Sequence, residues 1–274
     1  MITRQHAALL TMAIAQKEGT NNKEAFYGKV HELMPWALLS DGIRAYIGPR
    51  QAGHHEMNPS HTDCSWMQYP SPEVLKSLTK ETAPIMIKHH VAEGYMKCVI
   101  GEQTNIDMFD QKNYGHKYHT ALRIHMLQDC VLDAVLRDKL VDCTKRFEDS
   151  FVVHHNHSIQ MDGQELRKQV ALFEELGFIH LCGKVYESTN HEVLLNGEWF
   201  EKHVLAPLME VYPPELAVNT FKYMKFSEEL DRRISAKEFK LTDEEKASVY
   251  IAEDLEAVLD EMYSEAYLYT LRSL

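Results

Sequence analysis

The stretch YHTALRIHMLQDCVLDAVLRDKL, residues 118–140, has an apolar pattern that predicts a helix. Projected at about 100° per residue, its apolar side chains form two stripes instead of one. The first stripe consists of Ile124, Leu127, Val131 and Val135. The second consists of Tyr118, Leu122, Leu132, Leu136 and Leu140. A helix that is apolar on two sides is typical of a central position, so this segment is expected to lie in the middle of a bundle.

Three polar residues, His125, Asp129 and Asp133, follow one another at intervals of four on this predicted helix. His125 and Asp129 fall inside the second apolar stripe, and Asp133 lies at its edge. Burying an ionised carboxylate is costly unless it is paired or coordinates a metal. The pattern therefore leaves two interpretations open: a buried His–Asp hydrogen bond with Asp133 at the surface, or ligands that share one cation. The solvated side of the helix is assigned to Arg123, Gln128 and Asp138.

Helical patterns continue along most of the chain, and an all-α fold is expected. Residues 48–72 are the longest irregular segment, and 150–164 are predicted as either a short β-like run or a loop. The chain is interpreted as one domain, residues 1–274, forming a multi-helix bundle around the 118–140 helix. The predicted helices cover about 3–17, 23–34 (ended by Pro35), 36–47, 82–98, 104–112, 116–142, 163–176 (ended by Gly177), 179–187, 197–211, 214–225 and 246–271, the last preceded by a Thr242–Glu245 capping box.

Charge and cysteine content exclude several classes of protein. The formal net charge is −12 and no long basic run occurs, so nucleic acid is not expected as a partner. The five cysteines are scattered and never form CxxC, which argues against a disulfide framework and against a thiolate zinc site. No segment approaches the roughly 18 apolar residues of a membrane span. A soluble protein of a reducing compartment, most simply the cytoplasm, is expected.

Histidine is the unusual component: the chain has 16 histidines, many of them clustered. The best partners for His125 and Asp129 are Asp41, near a helix end, and the loop histidines His54 and His55. Each has a simpler alternative, a helix cap or surface role for Asp41 and an exposed polar loop for the histidine pair. On the first helix, His6 shares an apolar stripe with leucines and is either a buried core residue or a further ligand.

The order of a helical His6, Asp41 with a loop histidine about a dozen residues later, and a helical HxxxD resembles the zinc-dependent phospholipase C and S1/P1 nuclease group. That resemblance implies an all-α metallohydrolase that cleaves phosphoesters with a zinc cluster. Members of the group carry a further histidine and an HxxxE after the HxxxD, and no HxxxE follows Asp129 in this chain. The resemblance therefore implies a centre of one or two metal ions.

Other hydrolase motifs are absent from the sequence. It contains no His-Asp dipeptide, HExxH, phosphate-binding GxxxxGK[ST] loop or GxSxG elbow. The expected function is a metal-dependent hydrolase for a small anionic phosphoester such as a nucleotide, with zinc as the first choice of metal and manganese or iron as alternatives. Asp133 is the candidate catalytic residue, as a general base or a bridge between metals. The competing hypothesis is a helical binding or regulatory protein whose buried His–Asp pairs are structural.

Overall fold

The computed structural model describes residues 3–39, 41–42, 120–121, 124–125, 127–128, 131, 151–153, 159–161, 164–224, 226–251 and 253–274. Over these ranges the fold is all-α, as predicted. The helices are α1 (Thr3–Glu18), α2 (Lys23–Ala37), α3 (Gln164–Ser188), α4 (Gly197–Phe200), a π turn (Glu201–Leu205), α5 (Ala206–Val211), α6 (Pro214–Tyr223), α7 (Glu228–Ser235), α8 (Asp243–Ser248) and α9 (Leu255–Ser273).

One short antiparallel pair of strands accompanies the helices. β1 (Phe151–Val153) pairs with β2 (Ile159–Met161), with Val152 opposite Gln160. Of the two alternatives left open for 150–164, the structure therefore has the β-like one. None of the helices in the described ranges is both long and apolar enough to cross a membrane.

Helix α1 is the most enclosed element of the described structure. Every residue from Thr3 to Ala15 is buried, because α2, α3 and α9 all pack against this helix. The sequence predicted a single apolar face. The polar residues at its start tolerate burial because they are bonded: Arg4 Nη1 donates to the Met224 carbonyl at 2.9 Å, and Gln5 Nε2 donates to the Tyr263 hydroxyl at 2.7 Å.

The segment expected at the centre of the bundle is helical at each of its described positions, 120–121, 124–125, 127–128 and 131. The apolar residues described there, Ala121, Ile124, Leu127 and Val131, are all buried. The rest of the predicted helix 116–142 lies outside the described residues. So do the irregular segment 48–72 and the predicted helices 82–98 and 104–112.

Helix α3 corrects the prediction of two helices separated at Gly177. It runs without a break through Gly177. The absence of a side chain at this residue lets α9 pack closely against α3. A Cβ atom at Gly177 would lie 2.5 Å from the Tyr263 hydroxyl and 3.0 Å from Leu259 Cδ2. The glycine therefore serves close helix packing here, where the sequence suggested a helix end.

The predicted helices differ from the structure at four other places. Helix α2 continues past Pro35 to Ala37. The capping box at Thr242 is present, but it begins the short helix α8, and α9 starts separately after the Asp254 cap. The predicted helix 197–211 contains the π turn, and α7 was not predicted although Ser227 caps it.

Candidate metal centre

Three of the residues singled out in the sequence meet in the structure: His6 on α1, Asp41 after α2, and His125 in the central segment. One ligand atom of each lies within 4.8 Å of the ligand atoms of the other two. His125 Nε2 is 4.0 Å from Asp41 Oδ1. The His6 and His125 rings are stacked, with centroids 3.9 Å apart. Two imidazoles and one carboxylate thus converge from three parts of the chain.

The other four candidates, His54, His55, Asp129 and Asp133, lie outside the described residues. Their predicted roles as metal ligands and as the catalytic residue stay predictions.

The cluster is deeply buried. His6 and His125 are 0% exposed and Asp41 is 5% exposed. A carboxylate at such a depth needs a positive partner or strong hydrogen bonds, because its desolvation is costly. A bound cation would satisfy that requirement directly.

Asp41 is held in one orientation by a residue that the sequence did not single out as part of the site. The Thr3 hydroxyl donates to Asp41 Oδ2 at 2.9 Å. The other oxygen, Oδ1, is the one that faces His125. A hydrogen bond to one carboxylate oxygen that leaves the second directed toward the site is the usual way in which neighbouring residues orient a metal ligand.

His6 is oriented by a chain of hydrogen bonds that starts on α9. The Thr270 hydroxyl donates to the Ala266 carbonyl at 2.7 Å, so its oxygen accepts from Gln128 Nε2 at 2.8 Å. That contact turns Gln128 Oε1, an acceptor, toward His6 Nδ1 at 2.6 Å. Nδ1 must therefore carry a proton, and in a neutral ring Nε2 then carries the lone pair that a metal needs.

Gln128 corrects the sequence assignment. It was placed on the solvated side of the central helix, yet it is 0% exposed and connects His6 to α9. Its spacing of three residues from His125 puts both side chains on one face of a helix. The spacing from His125 could have indicated that Gln128 belongs to the site. It was assigned to the solvated side because its side chain is polar.

The backbone beside Asp41 is closely packed. A Cβ atom at Gly42 would lie 2.5 Å from Thr220 Oγ1 and 3.4 Å from Tyr212 Cε2. The Tyr212 hydroxyl donates to the Pro35 carbonyl. Burial, and after it the charge of Asp41, raises the pKa of Tyr212 well above its ordinary value. Thr220 of α6 and Tyr212, which precedes α6, thus pack against the backbone next to Asp41 and limit where Asp41 can lie.

Gly42→Ala is expected to lower the free energy of unfolding by about 1–3 kcal/mol, because the added methyl group overlaps Thr220 Oγ1. It should also weaken zinc binding by displacing Asp41. Thr220→Ala removes the overlapping atom, so the double variant should recover most of both losses. Thermal unfolding and zinc titration of the two single variants and the double variant measure the effect. Equal losses in the single variant Gly42→Ala and the double variant would contradict this packing argument.

The donor set matches that of zinc sites with two histidines and one carboxylate, in which further positions remain for water or substrate. Metal–ligand bonds of about 2.0–2.2 Å place neighbouring ligand atoms about 3.3–3.5 Å apart. The His125–Asp41 distance of 4.0 Å therefore has to shrink by roughly half an ångström on binding. Because the His6 and His125 rings are stacked with their planes inclined by 22°, at least one ring also has to turn before both nitrogen lone pairs point at one ion.

No family model matches the chain, and neither the curated proteins nor the solved structures include a match. The resemblance to the phospholipase C and S1/P1 nuclease group accordingly stays a prediction. Function is inferred from the geometry of the site.

Proposed function

We propose that this protein is a metal-dependent hydrolase and that His6, Asp41 and His125 hold its divalent ion. The observation that carries the proposal is the convergence of two imidazoles and a carboxylate within 4.8 Å in a buried position. Zinc is the first choice, with manganese or iron as alternatives, because nitrogen donors and a single carboxylate suit these ions better than magnesium or calcium.

The proposed substrate is a small phosphoester, such as a nucleotide or another small phosphodiester. A divalent ion would supply a bound water of lowered pKa and a positive charge for a phosphoryl oxygen. The chain itself carries a net charge of −12, so an anionic substrate needs such a local positive centre. A small phosphoester meets this condition more easily than a long polyanion.

Each described residue has a definite task in this proposal. His6 presents Nε2 because Gln128 holds its Nδ1 proton. Asp41 contributes the negative charge, oriented by Thr3. His125 supplies the second imidazole. His54, His55 and Asp129 are proposed as further ligands, and Asp133 as the general base or bridging carboxylate.

Hydrolysis of bis(p-nitrophenyl) phosphate and of nucleotides by the zinc-, manganese- or iron-loaded protein tests the function. Activity should depend on the metal, disappear with a chelator, return on metal addition, and be lost in His125→Ala. A protein that binds one metal ion per site but hydrolyses neither phosphodiesters nor phosphomonoesters would show that the centre is not a phosphoesterase site.

One observation favours a second candidate function, a helical binding or regulatory protein. The hydrogen bonds from Thr270 through Gln128 to His6, and from Thr3 to Asp41, are complete without an ion. Under this alternative the cluster is structural: His125→Ala lowers stability, and Asp41→Asn leaves the response of the melting temperature to added metal unchanged.

Thr3→Val is expected to weaken zinc binding by about 10- to 100-fold, since it keeps the side-chain shape but removes the donor to Asp41. Thr11→Val is the matched control. Thr11 is buried on the same helix, and its hydroxyl donates to the Ala7 carbonyl at 2.7 Å, away from the cluster. Zinc affinities measured by competition with a chromogenic chelator should change only for Thr3. Equal changes in both variants would assign the effect to helix α1 in general.

A further inference from the structure

A second pair of histidines lies outside the cluster of His6, Asp41 and His125. His31 of α2 and His203 of the π turn are separated by 172 residues, yet His31 Nε2 and His203 Nδ1 are 2.9 Å apart. His203 is 6% exposed and His31 is half-buried. Since the two neutral rings make this contact head to head, they share one proton along the line between them.

The surroundings fix the His203 ring firmly. Tyr27, one turn before His31, stacks on the His203 ring with centroids 3.9 Å apart and planes inclined by 14°. The centroid of the Trp199 ring lies 5.3 Å from that of His203, with the two planes inclined by 42°. His203 itself belongs to the π turn Glu201–Leu205. A π turn inserts an extra residue into a helix and is found frequently at functional sites. Here it rotates an imidazole toward α2.

Charged groups around the pair include one potential further donor. Glu210 is exposed on α5, a helix that packs against α2. Burial lowers the pKa of His31, and the charge of the Glu210 carboxylate opposes that shift. Lys202 acts in the opposite direction on both histidines. Burial also lowers the pKa of His203 to about 4, which keeps this ring neutral at pH 7.

We propose that His31 and His203 form a second metal site, in which a divalent transition metal such as zinc replaces the shared proton and Glu210 supplies the third donor. Two histidines and one carboxylate are a donor set that zinc, iron and nickel accept. The site differs from the buried cluster because Glu210 is exposed and, unlike Asp41, does not lie within 4.8 Å of both histidine donors, so that it has to rotate inward on binding.

The geometric change required is small. Zinc–nitrogen bonds of about 2.0–2.1 Å in a tetrahedral site place two nitrogens about 3.3–3.4 Å apart. The 2.9 Å separation therefore widens by roughly half an ångström. His31 is the ring expected to move, since it is half-buried, whereas His203 is buried and its ring contacts both Tyr27 and Trp199.

Proton balance follows from the two neutral rings. The ring that donates in the His31–His203 bond loses its proton from the shared nitrogen and takes one up at its other nitrogen. The second ring already presents a lone pair. No net proton is released at pH 7, so calorimetry in buffers of different ionisation enthalpy should give the same heat for this site. Protonated or thiol ligands would instead release protons.

Zinc chloride titrated into the full-length chain tests the site, with Asp41→Asn used to remove the first centre. In that background one remaining zinc equivalent should be lost on His31→Gln or His203→Gln. Glu210→Gln, an exposed change, should weaken this equivalent about tenfold without altering the urea midpoint, and Lys202→Gln should tighten it. His180→Gln is the control, because His180 bonds to a different partner, Asp260, at 2.6 Å.

The outcomes separate this site from the proposed function. If His31→Gln, His203→Gln and Glu210→Gln all leave zinc stoichiometry and affinity unchanged, the second site does not exist. If Asp41→Asn removes no zinc while His31→Gln removes one equivalent, the second site stands and the buried centre fails. If either histidine variant fails to fold, zinc titration of Glu210→Gln still tests the site, because this exposed substitution leaves the core unchanged.

Discussion

Asp41→Asn is expected to remove one bound zinc ion per chain while changing the free energy of unfolding of the metal-free protein by less than about 1 kcal/mol. Asparagine keeps the shape of the side chain and still accepts from the Thr3 hydroxyl, but it lacks the negative charge that a divalent ion requires. Zinc at 100 times its dissociation constant would stabilise the wild-type protein by about 2.7 kcal/mol through this centre. That increment should vanish in the variant.

The measurement combines elemental analysis after dialysis with thermal unfolding at fixed zinc concentrations. Asp260→Asn is the matched control, because Asp260 also accepts from an imidazole, His180, but lies half-exposed at the surface. The control should keep the full zinc content of the wild type. An Asp41→Asn protein with unchanged zinc content would exclude Asp41 as a ligand, and with it the proposed centre.

Phe178→Ala is expected to lower the free energy of unfolding by about 3–5 kcal/mol, the usual cost of emptying a buried phenylalanine site. Phe178 is fully buried on α3, where its ring packs edge-on against Phe200 and Phe226. The guanidinium carbon of Arg4 lies over the Phe178 ring, 4.9 Å from its centroid. Loss of this cation–π contact at a buried site adds about 2 kcal/mol. Urea unfolding measures the total.

Phe178→Leu separates the two contributions. Leucine fills most of the volume but has no aromatic ring, so its cost should come mainly from the lost interaction with Arg4. Because α1 carries both Arg4 and His6, the alanine variant should also weaken zinc binding, whereas the leucine variant should largely keep it. A loss below about 1.5 kcal/mol for Phe178→Ala would mean that the surrounding rings close the cavity.

The helical character of the chain could be predicted because apolar periodicity is a local signal. Helix ends were predicted less well where tertiary contacts decide them. Gly177 looked like a terminator, yet it lies inside α3 because Tyr263 needs the space. Pro35 also looked like a helix terminator, yet α2 continues past it to Ala37, and the Tyr212 hydroxyl donates to the Pro35 carbonyl. Neither distant tyrosine can be read from the local sequence.

The same distinction applies to the candidate site. His6 and His125 were selected because polar residues within apolar stripes are unusual, and Asp41 because it lies near a helix end ahead of the loop histidines. The structure brings the three together. Thr3 and Gln128 were missed because their roles depend on partners far along the chain. The histidine pair of α2 and the π turn was missed for the same reason, since its members are far apart in sequence.

The chain of hydrogen bonds from α9 to His6 has a consequence for the order of synthesis. His6 belongs to α1, which is translated well before α9, the helix that carries Thr270 and so fixes the amide of Gln128. Contacts over such sequence separations form late in folding. The His6 imidazole is therefore held in its final tautomer only after α9 has been translated, so the proposed metal ion would find its ligands in place only at that stage.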